Sequence, residues 1–309
     1  MTGARGPLSD NVKGALLMIG SMAGFAANDA LIKLASAEMG LFQAILLRGV
    51  AASLLIAGLA AALGAFRRAP PRRDWKILAL RSAGEVGATL CFLTALFNMP
   101  IANATAILQA LPLAVTLAGA LFLGEAVGWR RYLAIAVGFA GVLIIVRPGA
   151  EGFNSYALFA VAAVGFVVLR DLTTRRLSPE TPSLLAASLT AVVITIVGGL
   201  GVALTGEWAA LDAGRVDALA ALAGAAVFIF FGYLFSIMTM RQGEVAFVAP
   251  FRYTNLIWAI LLGLFVFGEV PDVYMMTGAA IVVGTGLYTF YRERRLQRSL
   301  ALATARRGG

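Results

Sequence analysis

Leu121-Phe-Leu-Gly124-Glu125 and Phe265-Val-Phe-Gly268-Glu269 close two stretches that read as copies of one another, Ala106 to Glu125 and Pro250 to Glu269, at an offset of 144 residues. A second pair keeps nearly the same spacing: Asp29-Ala-Leu-Ile-Lys33-Leu-Ala-Ser36-Ala-Glu38 matches Asp171-Leu-Thr-Thr-Arg175-Arg-Leu-Ser178-Pro-Glu180 at an offset of 142. An offset that drifts by only two residues over so much of the chain marks an internal duplication. Around these landmarks the sequence falls into apolar runs of about 20 residues, the length of helix that crosses a bilayer core. Ten are predicted, at 13–35, 41–66, 76–97, 101–124, 130–147, 153–173, 182–205, 217–240, 245–268 and 272–291. Each copy contains five of them, an odd number, so the second copy must lie upside down relative to the first.

The expected fold is therefore all-α and polytopic, with ten transmembrane helices arranged as two inverted five-helix repeats. The first repeat is placed at 13–147, the second at 153–291, and a basic cytoplasmic tail at 292–309. Inverted repeats recur in secondary transporters, whose substrate site lies near the midplane between the halves. Duplication that serves packing alone is the alternative.

Composition leads to the same class. Of 309 residues, 60% are hydrophobic and 13% charged, against about 25% charged in a soluble domain. That excludes a water-soluble enzyme, a disordered chain or a fibrous repeat. A β-barrel would need short alternating strands rather than long apolar runs. The net charge of +9 would suggest nucleic acid in a soluble protein, but in a membrane protein it reports orientation. With the N-terminus inside, 18 of the 25 cations fall in the N-terminal stretch (Arg5, Lys13), the inner loops and the tail, against Arg147 and Arg215 outside. Both termini are expected in the cytoplasm and the chain in the inner membrane, with no nucleic-acid partner. The stretch 14–37 imitates a signal peptide ending Ala35-Ser36-Ala37, but Asn28, Asp29 and Lys33 interrupt it and a span follows at once, so cleavage is not expected. One cysteine, Cys91, allows no intrachain disulfide, and the absence of histidine removes the commonest metal ligand. Phosphate-binding glycine loops, paired catalytic acids, nucleophile elbows and metal motifs are not found. No cofactor, metal or enzymatic activity is expected.

Charges at membrane depth are costly and are functional candidates by default. Glu85 lies about a third of the way along helix three, with Arg81 four residues earlier on the same face. Either it binds a cationic group or a coupled proton in a cavity, or it forms an internal salt bridge with Arg81. Asp29 lies in the outer half of helix one and Asp171 near the inner end of helix six, so inversion puts one carboxylate toward each face. They are candidate gates, with Arg48 the partner expected for Asp29 and Arg252, or the nearer Arg170 and Arg175, for Asp171. The local alternative pairs Asp29 with Lys33. Gln109 and Tyr253 occupy equivalent repeat positions beside Pro112 and Pro250, where a missing helical hydrogen bond exposes a carbonyl. Gln109, Arg252, Tyr253 and Trp258 are thus substrate-site candidates: the arginine for a carboxylate, the aromatics to stack on a flat ring. Phe92, Phe97, Phe228 and Phe231 are read as helix packing. Gly138, Gly141, Gly278, Gly284 and Gly286 are read as close packing of helices five and ten, or as a homodimer contact. The tail would lie against anionic lipid.

The twice-repeated five-helix unit ending in Gly124-Glu125 and Gly268-Glu269 resembles the EamA domain of the drug/metabolite transporter superfamily, over about residues 13–291. Within that family, Ala27-Asn28-Asp29-Ala-Leu-Ile-Lys33, Ala249-Pro250-Phe251-Arg252-Tyr253 and Phe267-Gly268-Glu269-Val-Pro271-Asp272 look most like the S-adenosylmethionine uptake branch. The resemblance implies a ten-helix carrier with a central cavity and alternating access, without ATP. Other members are similar to amino-acid or drug exporters and riboflavin importers, so the cargo stays open. An intramembrane enzyme or a non-transporting scaffold is the reading from a different class.

Overall fold

The computed structural model describes residues 7–67, 69–125, 127–150, 152–208, 215–242 and 245–307. Arg5 and Arg68, two of the cations assigned to the inner side, lie outside the described residues. The helices are α1 (Pro7–Ala35), α2 (Leu41–Ala62), α3 (Arg72–Asn98), α4 (Ile101–Leu108), α5 (Leu111–Phe122), α6 (Trp129–Val146), α7 (Ala157–Thr174), α8 (Ser183–Thr205), α9 (Val216–Gln242), α10 (Val245–Val248), α11 (Thr254–Phe267) and α12 (Val273–Arg307). A 3-10 turn over Ala249–Tyr253 joins α10 to α11. Among the described residues, ten helical segments are long and apolar enough to cross a membrane. Large apolar side chains such as Leu54, Phe122, Leu204 and Phe265 point outward, which only a lipid surround tolerates.

The fourth and ninth spans, continuous in the sequence, are broken in the structure. The Pro112 ring opposes the carbonyl of Leu108, the residue at which α4 stops; Gln109 and Ala110 then form a turn before α5 begins. Pro250 sits in the 3-10 turn and separates α10 from α11 in the same way. Inverted duplication thus places a discontinuous helix at the same point of each half.

Helix neighbours obey the duplication. By span number, the first packs on the eighth (α1 on α9) and the sixth on the third (α7 on α3), which exchange when five is added to each number. The second packs on the seventh (α2 on α8), the fourth on the ninth (α4 on α11) and the fifth on the tenth (α6 on α12), each pair mapping onto itself. This is the pattern of a pseudo-two-fold axis lying in the membrane plane.

Glycine permits the closest crossings. A Cβ on Gly24 of α1 would lie 3.0 Å from the Phe228 carbonyl oxygen of α9, and one on Gly84 of α3 would lie 3.0 Å from the Phe166 oxygen and Arg170 nitrogen of α7. At the α6–α12 crossing, Gly141 and Gly278 meet backbone to backbone. That crossing shows Gly141 and Gly278 packing within the chain.

Candidate functional site

The α1–α9 and α3–α7 crossings hold polar side chains at the depth of the glycines. On α7, Arg170 donates from Nη1 to Glu85 Oε2 of α3 at 3.0 Å and from Nε to Asp171 Oδ1 at 2.8 Å. On α1, at the positions equivalent to Arg170 and Asp171, Asn28 donates from Nδ2 to Asp29 Oδ1 at 2.9 Å and accepts from Arg48 Nη1 of α2 at 3.2 Å. Tyr233 of α9 stands between the two groups. Its hydroxyl is within electrostatic reach of Glu85, Arg170 and Arg48, and its ring meets Phe25 edge-on at 5.4 Å. Arg252, exposed on the 3-10 turn, is within electrostatic reach of Asp171 and Arg170. The result is three carboxylates (Asp29, Glu85, Asp171) interleaved with three guanidinium groups (Arg48, Arg170, Arg252) on elements from both repeats. Arg81 of α3 is also within electrostatic reach of Tyr233, so cations outnumber carboxylates around it and no carboxylate there lacks a nearby cation.

The partners differ from those that sequence neighbourhood suggests. Arg81 does not pair with Glu85; it donates from Nε to Thr174 Oγ1 at 3.0 Å and from Nη1 to Thr190 Oγ1. Arg170 reaches Glu85 because Gly84 lets α7 approach to backbone contact. Lys33 does not pair with Asp29; its ammonium donates to Glu269 Oε1 and to the Met99 carbonyl oxygen, each at 2.6 Å. Arg48 faces Asp29 through Asn28, and its Nε is buried with no hydrogen-bond partner.

Gln109 stands at the α4–α5 break with Nε2 buried and unpartnered. Tyr253 ends the 3-10 turn and points at α12, where a Cβ on Gly286 would lie 1.7 Å from its hydroxyl oxygen and Phe290 meets its ring at 6.3 Å. Trp258 packs among Met18, Met22 and Val248, with Nε1 unpartnered. Each of the three therefore presents a buried polar atom whose hydrogen bond is unmade, which is costly unless a ligand or water completes it.

Three features were not drawn from the sequence. Arg170, one turn from the end of α7, does pair with Asp171 as the sequence offered, but it is also the hub of the ionic group through Glu85. Tyr233 connects the two halves of that group, and nothing in its apolar surroundings marked it. Glu269 receives Lys33 and, on Oε2, the Ile101 amide at 2.9 Å, whereas its counterpart Glu125 receives Arg175 at 3.1 Å. The repeat alignment had already matched Lys33 to Arg175 and Glu125 to Glu269. In space each of these cations takes the acid of the opposite repeat, Lys33 with Glu269 and Arg175 with Glu125.

The sequence model of the EamA-like transporter family matches residues 12–147 and again 154–291. Among curated relatives, the S-adenosylmethionine uptake transporter of Rickettsia conorii is 27% identical over 197 residues, covering 63% of this chain and 65% of that protein. The chain thus spans about two thirds of the length of that relative. The riboflavin transporter of Vibrio cholerae is 31% identical over 210 residues, 68% of each chain. The pseudopaline exporter of Pseudomonas aeruginosa is 28% identical over 282 residues, 87% of this chain and 93% of that one. A solved crystal structure of a protein superposes with a TM-score of 0.60 at 18% identity, covering 92% of this chain and 99% of that one, a likeness of fold.

Proposed function

The chain belongs to the EamA-like transporter family, and on that premise we propose that it is a secondary transporter that carries a small amphipathic metabolite across the inner membrane by alternating access. The observation that supports this most is the group of three carboxylates interleaved with guanidinium groups and shared between the repeats. Partly buried charges at helix crossings of an inverted-repeat bundle are suited to a cargo that carries both signs. A cargo ammonium or sulfonium would displace Arg170 from Glu85 or take Asp29, which Arg48 faces only through Asn28, and a cargo carboxylate would be taken by Arg252. Asp29 and Asp171, at equivalent positions of the two repeats, are the groups to which coupling falls, with Arg48 setting the charge state beside Asp29. Gln109, Tyr253 and Trp258 offer unfilled hydrogen bonds and aromatic faces near the two helix breaks. A cargo with an amino-acid end, a cationic centre and a flat ring fits this set, and an S-adenosylmethionine-like molecule has all three. The named uptake transporters among the relatives favour the same choice.

The second reading is an exporter of amino-acid-like or drug-like compounds, favoured by the greater coverage of the pseudopaline exporter. Riboflavin uptake is favoured by the higher identity to a riboflavin transporter, although a flavin carries no fixed cation to answer Glu85. The positive-inside count supports cytoplasmic placement of both termini. The deciding experiment is flux into liposomes holding the purified protein, with labelled S-adenosylmethionine, amino acids and riboflavin, with and without a proton gradient. Saturable flux of a zwitterionic cation supports the first reading. Saturable flux of riboflavin alone overturns it, and no flux of any cargo overturns the carrier reading.

A further inference from the structure

The two Gly-Glu ends do the same thing in each repeat. Gly268 and Gly124 have φ of +65° and +69°, so the chain turns back sharply after α11 and α5. The Glu269 amide then donates to the Gly263 carbonyl at 2.9 Å and the Glu125 amide to the Gly119 carbonyl at 3.2 Å. Glycine at 263 and 119 leaves room for each returning carboxylate, which a Cβ would meet at 3.5 and 2.6 Å. The repeat thus builds one device twice, a glutamate folded over the end of a broken helix and facing a cation on the first helix of the opposite repeat.

The two copies are not in the same state. At one end the Lys33 and Glu269 side chains are only 12% and 20% exposed. There Lys33 joins α1 to the end of α3 through the Met99 oxygen, and Glu269 joins the end of α11 to the start of α4 through the Ile101 amide. Phe267 covers the ammonium at 5.3 Å. Beneath this knot lie Ile32, Ala35, Leu96, Ile101 and Ala259, none more than 1% exposed. At the other end Arg175 and Glu125 are 50% and 47% exposed. The position equivalent to Ile32 is Thr174, which is exposed; those equivalent to Ala35 and Ala259 are Leu177 and Val115, both only half-buried. One end is shut over a dry plug, and its pseudo-symmetric counterpart is more exposed.

We propose that Lys33–Glu269 and Arg175–Glu125 are reciprocal clasps, positioning residues that close opposite ends of the transport path in turn. This rests on the carrier reading above. Each clasp links the first helix of one repeat to the broken helix of the other, so rocking the repeats about their shared axis loosens one as it tightens the other. In the alternate conformation Glu125 takes the place that Glu269 holds here, buried with Arg175 and capping the helix that starts at Val245, the residue 144 beyond Ile101. Lys33 and Glu269 are then exposed. The charged partners make the shut state selective, because separating them is tolerated only once water reaches both.

The test needs no knowledge of the cargo. In a Cys91→Ser background, Ala259→Cys places a thiol beneath the shut clasp, and its alkylation rate reports how often that end opens. Glu269→Gln raises the rate by about tenfold, the loss of one charged hydrogen bond. Glu125→Gln weakens the alternate conformation and lowers the rate severalfold. The double exchange Lys33→Glu with Glu269→Lys returns the rate toward that of the parent. Opposite shifts support the clasps; shifts of the same sign, or none, overturn them. If Glu269→Gln fails to purify as a monodisperse protein, Lys33→Met gives the same comparison. Opposite shifts in a protein that moves no cargo keep the clasps and remove the carrier reading, while cargo flux without opposite shifts does the reverse.

Discussion

Glu85→Gln replaces one charge of the ionic group and changes almost nothing in shape. Arg170 holds Glu85 at 3.0 Å and Asp171 at 2.8 Å, and the two acidic side chains are 13% and 29% exposed. The bare Coulomb attraction of such a pair is about 4 kcal/mol at 4 Å and an effective dielectric constant of 20. Most of it offsets the removal of both groups from water. Glutamine keeps an oxygen that accepts from Arg170, and Asp171 keeps its bond, so the net loss is that between a charged and a neutral hydrogen bond, about 1–2 kcal/mol. The variant should fold, with a thermal midpoint in detergent a few degrees lower. Its functional effect is larger in direction than in size. The group becomes one unit more positive, so a cationic cargo loses an attractive partner and meets a larger positive surplus. The KM for such a cargo rises on the order of tenfold, while the uptake of a neutral one is nearly unaffected. Initial rates in proteoliposomes, measured for both kinds of cargo, give the ratio. An unchanged KM for the cationic cargo in a well-folded variant would remove Glu85 from the site.

Gly278→Ala puts a Cβ 2.5 Å from the Gly141 carbonyl oxygen. Backbone cannot yield there as a side chain would, so destabilisation of about 1–3 kcal/mol is expected in thermal unfolding. Gly284→Ala on the same helix, with nothing within 4 Å of its added carbon, should be near neutral and serves as the control. Gly268→Ala and Gly124→Ala force alanine to φ near +65° and +69°, costing roughly 1–2 kcal/mol each; both should slow transport more than their modest loss of stability accounts for. Gly286→Ala drives Tyr253 from its place against α12. It should alter cargo KM if the ninth-span break faces the path, and only thermal stability if it does not.

Much of the fold was legible because a bilayer constrains sequence so strongly. A helix must satisfy its own backbone in lipid and be apolar for about 20 residues, so the ten spans could be read directly. The duplication could be read because Asp29 and Asp171, and Glu125 and Glu269, kept both identity and offset. The breaks at Gln109 and in the 3-10 turn were legible only as prolines. Whether Pro112 kinks a helix or splits it depends on what the freed groups meet, which lies outside the local sequence.

The candidate site was legible as an inventory but not as a set of partners. Asp29, Arg48, Glu85, Asp171 and Arg252 stood out because charges at that depth are few. Pairing by sequence distance gave Arg81 to Glu85 and offered Lys33 to Asp29, yet each went elsewhere. A side chain at i+4 is near, but a facing helix brought to backbone contact by Gly84 is nearer. The sequence by itself determined the class, the ten spans, the duplication and, through the odd number of spans, the inversion. Only the tertiary structure decided which charges meet and which of the two Gly-Glu ends is the more buried, because both depend on how the two halves pack against each other. Two copies of one sequence pattern cannot by themselves say which of them is the more buried.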